Sequence, residues 1–218
     1  MIPPNEWWSI IHNYGSTVFP AQIVFYLAAI GALVMFFRRP GLTADRVIKG
    51  FIAFSFGWIG SVFFLLLGQK LPAHNAQSFL FLSLSALFVL DLLTGNSRFI
   101  MPETGWKRTA TMVGFALTLG AYPLFALLQG RPFSKWIIPG TFPCPTTALA
   151  LVFMATTFPT RRRWLYLVTV CFLLIWAVPF PIMIQIPRFR VYEDSIMLAT
   201  GIYSLIMLVV NARRARGE

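Results

Sequence analysis

Apolar residues occur along the chain in seven long runs, and the short segments between them carry most of the charges and turn-forming residues. A helix needs about 20 apolar residues to cross about 30 Å of hydrocarbon, so the runs predict an all-α bundle of about seven transmembrane helices. The predicted spans cover residues 17–37, 47–68, 78–94, 109–129, 144–159, 164–184 and 195–211. No loop is long enough for a soluble domain. Residues 17–211 therefore form one transmembrane domain, between an interfacial segment at 1–16 and a basic cytoplasmic tail at 212–218.

The lysines and arginines indicate how this bundle is oriented. Of the 18 basic residues, 13 lie in the first, third and fifth loops and the C-terminal tail, and 5 lie in the other loops. The larger group comprises Arg38, Arg39, Arg46, Lys49, Arg98, Lys107, Arg108, Arg161, Arg162, Arg163, Arg213, Arg214 and Arg216. Because cytoplasmic loops carry the excess of Lys and Arg, we expect the N-terminus outside and the C-terminus in the cytoplasm. An odd number of spans also places the two ends on opposite sides of the membrane, in agreement with this orientation.

The composition excludes several classes of protein. The chain has 218 residues, of which 57% are hydrophobic and only 11% charged, against about 25% charged residues in soluble domains. Its mean hydropathy is +0.72. These values exclude a soluble enzyme, a disordered chain and a nucleic-acid-binding module, although the net charge is +11. Two cysteines exclude a disulfide scaffold. We expect a multi-pass protein of a cell inner membrane that contacts the lipid bilayer and binds no nucleic acid.

Prolines accumulate on the predicted outer side of the bundle. A proline removes a backbone donor, and irregular backbone at membrane depth occurs where protein buries it or where it borders a wet cavity. The prolines within the outer halves of spans are Pro20, Pro123, Pro143, Pro145, Pro179 and Pro181. They favour either an outward-facing vestibule or simple kinks for packing. Polar candidates to line such a vestibule include Gln22, Tyr122, Thr146, Thr147 and His74.

The segment 141–147, with the sequence Thr-Phe-Pro-Cys-Pro-Thr-Thr, is the most unusual in the chain. Pro145 suits the first position of a helix, which would place Cys144 at the N-cap. The N–H groups of Thr146 and Thr147 would then point at the sulfur and favour a thiolate. We therefore take Cys144, Pro143, Pro145, Thr146 and Thr147 as candidate binding residues. A packing role, a redox-sensing thiol and a soft-metal site with His74 or His12 remain as alternatives for Cys144, and the sequence names no cofactor.

Asp91 is the acidic residue that the predicted spans contain. An ionisable residue within a membrane is a functional candidate by default. Asp91 lies close to the cytoplasmic end of the third span, and Arg98, Lys107 and Arg108 follow in the next loop. We interpret it as a structural anchor that pairs with a basic residue, and the alternative is a proton or ion relay.

Four short motifs carry a resemblance to a known family. They are Phe-Pro-Ala-Gln at 19–22, Gly-Trp-Ile-Gly at 57–60, Tyr-Pro-Leu at 122–124 and Phe-Pro-Cys-Pro-Thr-Thr at 142–147. With these motifs the chain resembles a bacterial family of polytopic membrane proteins of unknown function, over nearly its whole length. The resemblance also implies an aromatic–histidine pair after the second motif and a histidine in the fourth loop. This sequence has Phe63-Phe64 and Gly130-Arg131 at those places. The resemblance implies fold and location and assigns no activity.

Two functions fit these features. The first is a small permease or binding protein for a solute or soft metal ion that enters from the outside, as the outer prolines and Cys144 suggest. The alternative is a non-catalytic accessory subunit of a membrane complex, with a membrane protein or a second copy as its partner. An intramembrane enzyme ranks below both, because the sequence holds no nucleophile–base pair, HExxH or GxSxG element.

Overall fold

The computed structural model describes residues 2–103, 105–159 and 162–214, and it is a helical bundle. We number its helices in chain order. They are α1 (Pro4–Thr17), α2 (Phe19–Arg38), α3 (Leu42–Leu67), α4 (His74–Thr94), α5 (Gly105–Leu128), α6 (Pro143–Ala155), α7 (Arg163–Phe189) and α8 (Ser195–Arg214). Two short strands, β1 (Ser97–Phe99) and β2 (Thr157–Pro159), follow α4 and α6. Helices α3, α5 and α7 each contain a π-helical segment, at Ile59–Leu67, Leu117–Ala121 and Pro181–Gln185.

Six helices in the described part of the chain are long and apolar enough to cross a membrane. They are α2, α3, α4, α5, α7 and the segment Tyr192–Val210, which contains most of α8. The predicted class, an all-α integral membrane bundle, is confirmed. On the outer surface of this bundle, large hydrophobic side chains such as Val24, Phe79 and Leu93 are exposed. In a membrane protein, exposed residues of this kind face lipid.

The fifth predicted span is a short helix in the middle of the bundle. Helix α6 has 13 residues, and every one of them is buried. At 1.5 Å per residue it is about 20 Å long, well short of the hydrocarbon thickness. Helices α3, α5, α7 and α8 pack around it. A helix that is apolar on nearly all sides fits such a central position, because other helices surround it and none of its faces meets water.

The start of α6 differs from the sequence prediction. Phe142 occupies the N-cap, and Pro143 is the first helical residue, so the prediction that Cys144 is the N-cap was wrong. Thr146 fixes this start, because its Oγ1 donates to Phe142 O at 2.6 Å and accepts from Gly140 N–H at 2.7 Å. The first proline, rather than the second, takes the position where a missing N–H costs nothing.

The antiparallel β1–β2 ribbon defines one end of the bundle, here called the ribbon end. Ser97 pairs with Pro159, and Phe99 pairs with Thr157. The ribbon therefore joins the loop after α4 to the loop after α6. Helix α1 lies at the opposite end, here called the cavity end. There the Trp7 ring stacks on Phe189 at 4.6 Å, and Trp8 Nε1 donates to Phe189 O.

A buried ion pair holds the ribbon end together. Lys49 Nζ lies 2.9 Å from Asp91 Oδ1 and donates to Ser97 O at 2.6 Å, and Ser97 N–H donates back to the same carboxylate oxygen. Only 2% of Lys49 is exposed. The nearest basic residue of the following loop, Arg98, pairs with Asp45 instead. The partner of Asp91 is thus a lysine of α3 rather than a residue of the loop that follows α4.

Candidate functional site

A cavity of about 210 Å³ lies at the cavity end, between α1, the start of α6, the second half of α7 and the segment before α8. Its walls are mainly apolar, with six aromatic side chains from α1, α3 and α7 and a seventh, Phe142, directly before α6. The six helical ones are Trp7, Phe63, Phe64, Trp176, Phe180 and Phe189. Trp176 and Phe180 stack with their ring centroids 3.9 Å apart. The walls can therefore hold an apolar or aromatic group.

Three residues that line the cavity carry buried polar atoms without a hydrogen-bond partner among the described residues. The atoms are Asp194 Oδ2, Gln185 Oε1 and Trp176 Nε1. The exposed fractions of these residues are 1% for Asp194, 3% for Gln185 and 4% for Trp176. An unpaired buried polar atom costs about 1–3 kcal/mol, so proteins keep few of them. Three on the wall of one cavity indicate that a polar group or water occupies it.

Asp194 is the one acidic group among these three. Its Oδ1 accepts a hydrogen bond from the Tyr122 hydroxyl at 3.3 Å, and it makes no ion pair within the ranges that the structure describes. The adjacent Glu193 differs, because its carboxylate lies 3.5 Å from Arg131 Nη1. Two neighbouring acids therefore stand in different surroundings, one with a basic partner and the other with neutral neighbours.

The N-terminal segment and Arg188 lie at the edge of the cavity. Arg188 Nη2 donates to Ile2 O at 3.1 Å, and its guanidinium lies 5.8 Å from the centre of the Phe189 ring. Ile2, Arg188 and Phe189 all line the cavity. This contact ties the first residues of the chain to the end of α7 and narrows the cavity there.

Basic groups surround the polar side of α1. Arg131 lies over the Trp8 ring at 4.6 Å, and burial lowers the pKa of its guanidinium while Glu193 opposes that shift. Burial, then Lys135 and then Arg131 lower the pKa of His12 below its usual 6.5. His12 is therefore neutral at physiological pH and adds no charge at this end.

Cys144 lines the cavity, but its surroundings differ from those predicted. Only 6% of the residue is exposed, and its thiol interacts with the Asp194 carboxylate. A carboxylate accepts a hydrogen bond from a thiol and repels a thiolate. The neighbour that matters for the sulfur is thus an acid from the start of the last span, rather than the N–H groups of its own helix.

The other predicted site residues divide into two groups. Pro143 lines the cavity beside Cys144, and Tyr122 reaches it through Asp194. The rest lie elsewhere: Pro145 and Thr147 are buried in α6, and the Thr146 hydroxyl bonds to Phe142 O and Gly140 N–H at the start of that helix. Gln22 is fully buried, and its Nε2 is 3.5 Å from Trp136 O. His74 lies at the start of α4 with its Nδ1 3.3 Å from Leu71 O.

The structure offers little to a metal ion. Within the described ranges, no three or more His, Cys, Asp or Glu residues come together where they could hold one. Cys171, the second cysteine, is exposed on α7 and lies apart from the cavity.

Sequence reasoning missed Asp194 and Trp176. The apolar runs place Asp194 in a loop and leave Asp91 as the acid within a predicted span. Asp194 is buried, and the last membrane-length segment includes it. The sequence did contain a signal for Asp194. Glu193 and Asp194 directly precede an apolar helix, and the helix dipole stabilises acidic side chains at that position. Nothing in the sequence indicated that Trp176 lines a cavity, because a tryptophan within an apolar run is also typical of a packed core.

Comparison with known proteins gives one family. No curated protein and no solved structure matches the chain. A family model described as a family of unknown function, DUF6064, matches residues 5–218. Since this match covers nearly the whole chain, the protein belongs to the family DUF6064.

Proposed function

We propose that this protein binds a small, largely apolar organic solute in the cavity and acts as a permease or binding protein of a bacterial inner membrane. The observation that carries the proposal is the aromatic cavity with three unpartnered buried polar atoms on its wall. With the N-terminus outside, as the basic residues predict, the cavity end faces the exterior. The solute would then enter from the outside.

The size of the cavity supports a small molecule. An engineered apolar cavity of about 150 Å³ in another protein stays dry and binds benzene. A cavity of about 210 Å³ accommodates a somewhat larger molecule, such as a benzene ring with a short substituent. Ligand sites of this kind are mostly apolar, with a few polar groups that fix orientation. An organic solute also fits the side chains better than a soft metal ion, which requires several soft ligands where the cavity has one thiol.

Thiol labelling tests whether the cavity opens to the outside. In a Cys171→Ser variant in intact spheroplasts, a small membrane-impermeant thiosulfonate should modify Cys144, because Cys144 lines the cavity. The Cys144→Ser variant, which keeps Cys171 on the lipid-facing side of α7, is the control for labelling through lipid. Failure to label Cys144 from the outside, with labelling after the membrane is opened, would overturn the proposed orientation and entry route.

A cavity-filling variant tests whether the cavity is the binding site. Ile184 lines the cavity, whereas Ile182 in the same π-helical segment does not. Ile184→Trp should abolish protection of Cys144 by an added apolar solute, and Ile182→Trp should preserve it. Equal protection in both variants would show that the solute acts elsewhere. Purification with a second protein at fixed stoichiometry, with no protection by any solute, would favour the accessory subunit.

A further inference from the structure

We infer that the solute is a lipophilic primary amine, with its ammonium group at Asp194 and Gln185 and its apolar part against the aromatic wall. This inference rests on the proposed binding function and names its ligand class. The cavity combines a buried carboxylate that has a free oxygen with aromatic rings on the same wall.

The charge of Asp194 selects a cation. A buried carboxylate without an ionic partner is costly, and the cost falls when a cation binds and donates hydrogen bonds. The Asp194 carboxyl group has two neutral donors beside it, the Tyr122 hydroxyl at Oδ1 and the Cys144 thiol, and Oδ2 has no hydrogen bond of ordinary geometry among the described residues. Arg131, a basic residue at the same end of the bundle, is already paired with Glu193. An ammonium group at Oδ2 completes the set of partners that the chain leaves open.

The hydrogen-bonding pattern selects a primary amine. An ammonium group of the type –NH₃⁺ has three donors and no acceptor. Asp194 Oδ2 and Gln185 Oε1 are both acceptors without a donor, and both residues line the cavity. A quaternary ammonium has no N–H to give either of them, and an alcohol has one O–H and no charge. Of these three groups, the primary amine is the one that supplies both charge and several donors.

The aromatic side chains suit the rest of such a ligand. The stacked pair Trp176 and Phe180 lies beside Phe64, whose ring centroid is 6.0 Å from that of Trp176. Aromatic faces attract cations and pack against apolar groups. An anion would instead meet the charge of Asp194. Arg188, at the edge of the cavity, already donates to Ile2 O and contacts the Phe189 ring.

Calorimetry on the full chain in nanodiscs of phosphatidylcholine tests the inference. The probes are 2-phenylethylamine and the neutral 2-phenylethanol, which have the same apolar group. We expect the amine to bind at least about tenfold more tightly, because charge-assisted hydrogen bonds are about twice as strong as neutral ones. Asp194→Asn should remove this preference, and the matched variant Glu193→Gln at the neighbouring acid should retain it.

The outcomes separate the ligand class from the binding function. Equal affinities of amine and alcohol, unchanged in Asp194→Asn, would overturn the amine while leaving the solute site in place. Binding of neither probe, together with no effect of Ile184→Trp on Cys144 labelling, would overturn the proposed function. A variant that fails to fold does not decide the matter, because the comparison of the two probes uses the unmodified protein.

A primary ammonium group is also present in the headgroup of phosphatidylethanolamine. A separate calorimetry experiment therefore distinguishes a free amine from the lipid headgroup. Adding phosphatidylethanolamine to the nanodiscs should leave the affinity for 2-phenylethylamine unchanged if the ligand is a free amine. Weakening by about tenfold or more would identify the lipid headgroup as the amine that the site takes. Each result supports ammonium recognition and assigns its source.

Discussion

Each end of the bundle buries an aspartate, but only the ribbon end supplies its aspartate with a basic partner. At the ribbon end, Asp91 accepts from Lys49 and from the Ser97 N–H, and Lys49 also donates to Ser97 O. At the cavity end, Asp194 has only neutral donors, the Tyr122 hydroxyl and the Cys144 thiol, and its Oδ2 has no partner among the described residues. Both aspartates are at least 95% buried. Burial alone therefore does not distinguish a structural acid from a binding acid, whereas the count of partners does.

This difference has an energetic meaning. Breaking a paired buried charge is strongly destabilising, because the remaining partner stays buried and uncompensated. Removing a charge that has no ionic partner leaves nothing uncompensated. The same substitution at the two ends should thus change stability at one and ligand binding at the other.

The largest expected effect is that of Lys49→Met. The substitution keeps an unbranched side chain of nearly the same length but leaves the Asp91 carboxylate buried without a cation, at a cost of about 3–5 kcal/mol in the free energy of unfolding. Unfolding of the purified protein in mixed micelles by added denaturing detergent measures the change. The double variant Lys49→Met/Asp91→Leu should recover part of the loss, and the Ser97 N–H and O would then still lack partners. A loss below about 1 kcal/mol in the single variant would contradict a structural role for the pair.

A smaller effect is expected from replacing each aspartate by asparagine. Asp91→Asn leaves Lys49 buried beside a neutral amide, and we expect a cost of about 2–3 kcal/mol. Asp194→Asn should change the free energy of unfolding by less than about 1 kcal/mol, because it removes an unpaired charge and asparagine is also a good residue before a helix. Thermal unfolding of the two variants side by side makes the comparison.

The reverse ranking would show that Asp194 is the structural acid. A second result would revive the relay interpretation of Asp91. In that case Asp91→Asn would abolish pH-dependent uptake of a solute while the amount and stability of the protein stay unchanged.

The smallest effect is expected at Arg98. Its side chain is 42% exposed, and its Nε lies 2.9 Å from Asp45 Oδ2. Asp45 is buried, but solvent reaches the Arg98 guanidinium and screens the pair, so we expect a contribution of about 1 kcal/mol or less. Arg98→Gln should therefore cost less than about 1 kcal/mol in the same unfolding measurement, because Asp45 Oδ1 still accepts from Phe99 N–H at 3.1 Å. A cost equal to that of Lys49→Met would show that the whole ribbon end acts as one network.

The sequence predicted the helices better than the contacts between residues of different helices. Long apolar runs identify membrane helices because hydrocarbon leaves the backbone few other ways to pair its polar groups. In the sequence, Lys49 contributed only to the prediction of orientation, as one of the basic residues on the cytoplasmic side. Its partner, Asp91, is 42 positions away, and their contact depends on α3 lying beside α4. The pattern along one helix does not contain that information.

The cavity shows the same limit. Pro143 and Cys144 were found from their unusual local sequence, and they do line it. Asp194 comes from the other side of a long intervening chain, and its position at the end of a loop made it look exposed. The β-ribbon was missed as well, because three residues per strand give no readable alternation. Local chemistry was visible in the sequence, and the meeting of distant segments was not.

The short central helix α6 has a consequence for how the protein is made. Chains enter a membrane from the N-terminus onward, and each span must be tolerated by lipid while its neighbours are still being synthesised. A helix of 13 residues leaves unpaired backbone groups at its ends within the hydrocarbon unless protein surrounds it. Two of the helices that pack around it, α7 and α8, are synthesised later. The enclosure of α6 by protein is therefore complete only once α7 and α8 are in place.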